Sequence, residues 1–286
     1  MAAIARRLPL ATIRAFGRAL GSFAWHVARS ERRKALANIA AAFPEWPPAK
    51  HRDTIRAMFR HLGATLLEML WLEKLDAATR TATTTFENDE PIAAIFRSGR
   101  GVVAITAHCG NWEWLAYCVS TYFAVPVSVM QRERNEADLN RFLVETRAHA
   151  GIKTIDRGSA TAGRELIQAV KRAGFLAFLI DQNIRAESAK VPFFGRGALT
   201  PIGPAKLAIR TGAMIVTAFI QRMPNGQQHI RFNTPIETKR DDDPIALTAR
   251  LTADIEEQIR RAPEQWVWMH DRYRERPKYE VLSPES

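Results

Sequence analysis

Apolar residues along this chain change period several times, and each change marks an element. From Arg32 to Phe43, and again from Pro47-Pro48 to about Leu75, they recur at helical spacing, with Met58, Leu62, Leu66, Met69 and Leu70 carrying the second helix. Leu66 to Leu72 is apolar nearly all round, as in a helix packed between the core and another apolar phase such as lipid. A short strand at 83–86 and a helix at 91–97 follow. Strand and helix patterns then alternate: strand 101–107, helix 111–123, strand 125–130, helix 136–150, strand 152–155, helix 160–173 and strand 175–180. Gly99, Gly151 and Gly174 fall where a helix must stop before a strand. A helix at 203–211, strands at 214–222 and 228–234 around the turn Pro224-Asn225-Gly226, and a helix at 244–261 complete the pattern. This alternation predicts an α/β fold: a mixed, mostly parallel sheet covered by helices on both faces, with an N-terminal helical extension. Residues 1–75 form the helical, membrane-associating region and residues 76–286 the α/β domain, the two built as one continuous unit.

The first 29 residues decide how the chain meets a membrane. Arg14, Arg18 and His26 interrupt any span of ~20 uncharged residues, and no clean apolar core precedes a small-residue cleavage site. On a helical wheel Arg7, Arg14 and Arg18 fall along one side, while Ile4, Leu8, Ile13, Phe16, Leu20 and Phe23 supply a broad apolar surface. That pattern predicts a helix lying in the membrane interface with its arginines at anionic head groups. Docking on the protein's own core is the competing reading.

Composition narrows the partners. The chain has 286 residues, is 47% hydrophobic and carries a net charge of +11, so it builds a substantial core and favours an anionic partner. It lacks zinc-finger spacing, a basic zipper and an aromatic RNA-binding block, which excludes the common nucleic-acid modules. Its two cysteines, Cys109 and Cys118, are too few for a disulfide scaffold and suit a reducing compartment. No metal-ligand cluster and no Gly-rich phosphate loop stands out, so no cofactor is expected.

The candidate chemistry sits in Gly101–Trp114, GVVAITAHCGNWEW. An apolar strand stops at His108, and Asn111 caps the helix that follows, so His108 and Glu113 arrive at the end where α/β sheets bind ligands. A His–carboxylate pair there suits a general base acting on an attacking hydroxyl. The same spacing recurs at His26/Glu31 and His270/Glu275, without the strand-end context. A buried, satisfied histidine and a first-turn acid complementing the helix dipole explain the same two residues on local evidence.

Other blocks supply the context. His108-Cys-Gly-Asn-Trp-Glu113, Gln131-Arg132 with Asn135, Asp181-Gln182, Val191-Pro-Phe-Phe-Gly195 with Thr200, Thr211-Gly212-Ala213, and Pro263-Glu-Gln-Trp266 through Trp268, His270 and Arg276-Pro277 occur in that order. Upstream, Arg32-Arg33, Asn38 and Phe43-Pro44 join them. In these blocks the chain, over about residues 30–278, resembles the bacterial lipid A biosynthesis (late) acyltransferase family of the lysophospholipid acyltransferase-like superfamily. The resemblance implies an O-acyltransferase whose His108/Glu113 dyad activates a hydroxyl for direct attack on an acyl thioester. It implies acyl carrier protein or coenzyme A as donor carrier, an anionic glycolipid acceptor, and a peripheral or monotopic place on the cytoplasmic face of the bacterial inner membrane. Many members begin with a plausible spanning helix and this chain does not. The superfamily also acylates phosphatidylinositol mannosides, so that acceptor is the alternative.

Candidate substrate-binding residues complete the picture. Arg132, Arg157 and Arg222 each lie at or just beyond a predicted strand, where a guanidinium fork can meet phosphate. Backbone N–H groups near Gly110 or at the start of a helix are candidates for the oxyanion. Asp181 is placed to orient Arg157 or to cap the turn after its strand, and Gln182 follows it. Phe193 and Phe194 either line an acyl-chain tunnel or plug the sheet edge. Asn111 caps its helix, and Trp112 and Trp114 serve equally well as core or as substrate wall. Two rival readings differ in class: a Cys109 thiolate hydrolase, disfavoured because neighbours on an extended segment point apart, and a non-catalytic protein that binds acidic lipid.

Overall fold

Val102 to Thr106 is buried at every residue, as a strand must be when helices cover both faces of its sheet. The computed structural model describes residues 8–131 and 137–280. It opens with helices α1 (Leu10–Val27), α2 (Arg29–Ala42) and α3 (Pro48–Met69), then α4 (Ala77–Thr83), β1 (Thr84–Glu87) and α5 (Asp89–Arg97). The alternating region comprises β2 (Val102–Thr106), α6 (Trp112–Phe123), β3 (Val127–Gln131), α7 (Ala137–His149), β4 (Ile152–Asp156), α8 (Ala162–Lys171) and β5 (Phe175–Leu179). The rest is β6 (Ser188–Phe193), β7 (Arg196–Pro201), α9 (Gly203–Thr211), β8 (Met214–Arg222), β9 (Gln228–Phe232), β10 (Ile236–Glu237) and α10 (Pro244–Arg261).

The main sheet runs β1-β9-β8-β2-β5-β3-β4, with β10 against β8. Pairings β2–β5, β2–β8, β3–β5, β3–β4 and β1–β9 are parallel, and β8–β9 and β10–β8 antiparallel. Alternation along β2 divides the core in two. Val103, Ile105 and Ala107 face one cluster with residues of α2, α3, α9 and α10, while Val102 and Ala104 face another with Ile92 of α5 and Trp114, Leu115 and Val119 of α6. The fold is therefore mixed, mostly parallel and helix-covered on both faces, as the sequence pattern predicts.

Three features differ from that pattern. The helix expected to run to Leu75 ends at Met69 and continues as a 3-10 turn, Leu72–Lys74. A separate hairpin, β6–β7, occupies a stretch in which the pattern marks no element. Its two turn residues, Phe194 and Gly195, have φ of 50° and 69°, the positive values that two-residue hairpins favour. Phe194 is held in that strained conformation by rings of Phe43 and Trp268 and by its N–H donating to Glu256 Oε2 at 2.5 Å.

The third is the face of α1. Gly17 and Gly21 lie so close to α3 that an added Cβ would meet the Gly63 carbonyl oxygen at 2.5 Å and the Phe59 carbonyl oxygen at 2.1 Å. Only glycine permits this approach. Arg14 is buried in the contact and its guanidinium pairs with Glu68, so it does not lie on a face toward head groups. Ile13 is buried as well, whereas Phe16, Leu20, Phe23 and Val27 stay exposed along the other side, with Leu66 of α3 exposed too. Arg7 and Ile4 lie outside the described residues. Among the described residues no helix is long and apolar enough to cross a membrane.

Candidate active site

Register assembles the site. β2 and β5 pair through Thr106–Leu179, so the residues two beyond each, His108 and Asp181, emerge side by side. The Asp181 carboxylate accepts the His108 N–H at Oδ2 and meets His108 Nδ1 at Oδ1, both at 2.9 Å. Trp266 Nε1 donates to Oδ2 at 2.8 Å. Asp181 is 1% exposed. Burial disfavours its charge, but His108 and the Trp266 donor outweigh that and hold the carboxyl down to about 2. An ionised Asp181 can only accept, so it fixes the proton on Nδ1 and leaves Nε2 as a base. No hydrogen bond to Nε2 occurs among the described residues, and His108 lines a cavity.

The turn carrying His108 is clamped from the C-terminal segment. Gly110 N–H donates to the Gln265 carbonyl at 2.9 Å, Val267 N–H donates to the His108 carbonyl at 3.2 Å, and Cys109 bridges to Trp266. Gly110 has φ of 62°, and a Cβ there would sit 2.2 Å from the Ile220 carbonyl oxygen. Because its N–H is committed to Gln265, Gly110 itself is not the oxyanion donor the sequence suggested.

Glu113 does not hold His108. Its carboxylate forms a two-pronged pair with Arg147 of α7, Nε–Oε2 at 2.8 Å and Nη2–Oε1 at 2.6 Å. Arg147 Nη1 also donates to Gln131 Oε1 at 2.5 Å. The charged pair lines the same cavity as His108 and ties α6, α7 and β3 together. The planar fork makes such a pair directional, so Glu113 fixes the direction of Arg147 and not that of the imidazole.

The cavity has a volume of about 780 Å³, within the ~300–1,000 Å³ usual for ligand sites. Ala104 and Ala177, opposite one another in β2 and β5, face it with Ala218 of β8 and Ala116 of α6. These small side chains leave an apolar slot between sheet and helix. Pairing of β3 with β5 stops at Val129–Ala177, while β3 continues beside β4 to Gln131–Asp156. The sheet forks there, and Met130, Phe178 and Leu179 line the opening. The polar rim includes Arg157, Gln182, Asn183, Arg185, His270 and Arg276. Burial lowers the His270 pKa, and its Nε2 accepts the Asn183 N–H at 2.9 Å.

Several expected site residues stand elsewhere. Arg222 is spent on Glu68, His61 and Thr65 at 2.6–3.0 Å and does not reach the cavity. Phe193 and Phe194 pack among Phe43, Trp266, Trp268 and Tyr273, sealing the hairpin, and neither lines the cavity beside His108. Asn111 is fully buried, its Oδ1 accepting the Trp114 N–H at 3.0 Å as the N-cap. Trp112 stands edge-on to His108, ring centroids 4.9 Å apart, whereas Trp114 is core. Arg132 lies outside the described residues. Among the described residues Asp181 caps no turn, and its carboxylate is engaged by His108 and Trp266. Burial pushes the Cys109 thiol well above its usual range, which removes the thiolate that a cysteine hydrolase needs. Sequence reasoning missed Arg147; Gln265 and Arg276 stood in its motif blocks without the clamp of the one or the rim position of the other.

Comparison with known proteins settles the family. Residues 1–275 match that of the bacterial lipid A biosynthesis acyltransferases. The chain belongs to this family. The lipid A biosynthesis palmitoleoyltransferase of Escherichia coli K12 is 25% identical over 275 residues, 95% of this chain and 88% of that one. The phosphatidylinositol mannoside acyltransferase of Mycobacterium tuberculosis H37Rv is 25% identical over 221 residues, 74% and 67% of the two chains. The crystal structure of the 1-acyl-sn-glycerophosphate acyltransferase PlsC of Thermotoga maritima covers 88% of this chain and 99% of its own at TM-score 0.42 and 14% identity. As a member of this family, the protein is an enzyme of acyl transfer to glycolipid.

The Glu113–Arg147 pair carries its own prediction. Glu113→Gln and Arg147→Ala each lower kcat, and the double variant is no worse than the poorer single one. A double-mutant cycle of initial rates checks this. Additive losses would mean that the two residues act separately.

Proposed function

We propose that the protein transfers a fatty acyl group from an acyl thioester to a hydroxyl of a lipid A precursor or a related anionic glycolipid, with His108 as general base. The observation that carries the reading is the His108–Asp181 contact beside an apolar cavity. His108 Nε2 removes the proton of the acceptor hydroxyl as its oxygen attacks the thioester carbonyl. Asp181 stabilises the imidazolium. The tetrahedral oxyanion meets the N-terminal end of α6, whose first N–H groups lie outside the helix ladder, together with Arg147. Collapse expels the thiolate, which takes the proton back from His108, so atoms and charge balance without a covalent enzyme intermediate. Glu113 serves by holding Arg147. The acyl chain occupies the alanine-lined slot, and Arg157 with Arg276 meets phosphate at the rim. A phosphatidylinositol mannoside as acceptor is supported by the mycobacterial relatives.

Purified protein supplied with acyl carrier protein or coenzyme A thioesters and a lipid A precursor tests this reading. Release of free thiol equal to the new ester is expected; thiol release without ester would leave only a hydrolase. Chain length tests the slot. Ala104→Leu or Ala177→Leu fills it, so preference shifts to shorter chains by competition assay, with melting temperature little changed because the cavity takes the added volume. An unshifted preference would place the chain elsewhere.

The exposed stripe Phe16, Leu20, Phe23 and Val27 seats the enzyme on the cytoplasmic face of the bacterial inner membrane. Arg18 on α1 and Arg52, Arg56 and Arg60 on α3 are exposed as well, and anionic head groups reward positive charge near their surface.

A further inference from the structure

A second cluster of charge lies next to the catalytic turn, and none of its members lines the cavity. Glu68 of α3 is fully buried. Its carboxylate receives Arg14 Nε from α1, Arg222 Nη2 at 2.6 Å and Nε at 3.2 Å from β8, and Asn111 Nδ2 at 2.8 Å. Arg14 Nη1 donates on to the Gly226 carbonyl at 2.6 Å, in the turn between β8 and β9. His61 meets Arg222 Nη1 at 2.8 Å, and burial beside two arginines pulls its pKa down to about 3, so it stays neutral. Two guanidinium groups therefore share one carboxylate.

Stability alone does not call for this arrangement. One arginine neutralises Glu68, and the second brings another charge out of water. Arg14 Nη2 is buried with no hydrogen-bond partner, as is Gln228 Oε1. Apolar side chains of similar size commonly fill such sites at no loss of stability. What the cluster does uniquely is connect. Asn111 is the N-cap of α6 and stands three residues from His108, so one carboxylate joins the turn of the base to the helix with the exposed apolar stripe. Thr65 extends the link, its hydroxyl 3.5 Å from the Gly110 carbonyl and 3.0 Å from Arg222 Nη2. The glycine contacts of α1 with α3 make the connection stiff, since backbones that touch cannot slide independently.

We propose that Glu68 is a positioning residue for acyl transfer, holding the catalytic turn through Asn111, and that Arg14 holds Glu68 so that the seating of α1 sets the aim of His108. The proposal rests on the reading of His108 as the base. It assigns Arg14 to the inside of the enzyme and leaves lipid attraction to the exposed stripe and the exposed arginines.

Arg14→Met and Arg14→Lys in the full-length chain test it, with Glu68→Gln as a further variant that keeps an acceptor for Asn111. Initial rates are read on glycolipid in anionic vesicles, with melting and vesicle sedimentation alongside. Arg14→Met is expected to bind vesicles like the parent and to lose about tenfold in kcat at nearly constant KM, since small misplacements of reacting groups cost up to ~10²-fold. Arg14→Lys recovers most of that loss, and Glu68→Gln loses kcat similarly. Parental kcat in folded, vesicle-bound Arg14→Met and Glu68→Gln would overturn the proposal, as would a lowered melting temperature with unchanged kcat in the folded fraction. His108→Ala in the same assay separates the two ideas, because an active His108→Ala overturns the base itself whatever Arg14 does.

Discussion

Asp181→Asn lowers kcat by roughly 10²–10⁴-fold, as much as losing the base itself, while the protein stays folded. The reason is the hydrogen-bond pattern. Two N–H donors, His108 N at 2.9 Å and Trp266 Nε1 at 2.8 Å, already point at Oδ2. In the variant the amide oxygen stays with them, and the NH2 group turns toward His108 Nδ1. That donor forces the proton onto Nε2, where the imidazole can no longer accept one. His108→Ala gives a similar loss, and the double variant is scarcely worse. Initial rates with a circular dichroism melt check this. An Asp181→Asn enzyme with near-parental kcat would show that the imidazole does not need this partner. The ionised form of Asp181 also contributes to stability. Its folded pKa, about 2, lies below the ordinary carboxylate value, so the contribution is complete above about pH 4 and is lost as pH falls toward 2. Acid melts of the parent lose ground in that window, and those of Asp181→Asn lose less.

Phe16→Glu with Phe23→Glu releases the enzyme from anionic vesicles by at least about a hundredfold in affinity. Each ring, exposed in the protein, gains about 1.5–3 kcal/mol when fully buried, and half that burial for two rings is already a large loss. Two negative charges against an acidic surface add roughly 1 kcal/mol each. The stripe faces away from α3, so folding and activity on detergent-dispersed acceptor survive. Sedimentation with vesicles of defined acidic-lipid content gives the result. Undiminished binding would move the membrane contact away from α1.

The local half of the site was legible in the sequence and the long-range half was not. His108, Asn111 and Glu113 fall within one strand-to-helix junction, so periodicity alone put them at a ligand-binding edge. Asp181 carries the same signal, an apolar strand ending two residues before it. Its adjacency depends on β5 lying beside β2, with β3 and β4 beyond, and no local pattern encodes that order. His-x4-Glu spacing suggested Glu113 as the partner because both residues are visible together; the bidentate Arg147 that claims it comes from α7. Arg14 shows the same limit, since a helical wheel places it among surface arginines and only the contact with Glu68 buries it. The β6–β7 hairpin escaped because Pro192, Gly195 and Gly197 break the strand pattern, and its turn uses a Phe at positive φ where a small polar residue or Gly is expected. Most helices and strands, whose apolar faces are long, fell within a few residues of their expected places.

The most direct measurement of the central claim is mass spectrometry of total lipids from cells carrying the parent enzyme, His108→Ala, or no enzyme. One anionic glycolipid heavier by a single fatty acyl unit is expected with the parent, and its unacylated form with His108→Ala as in cells without the enzyme. The acylated glycolipid persisting at parental level with His108→Ala would contradict the claim.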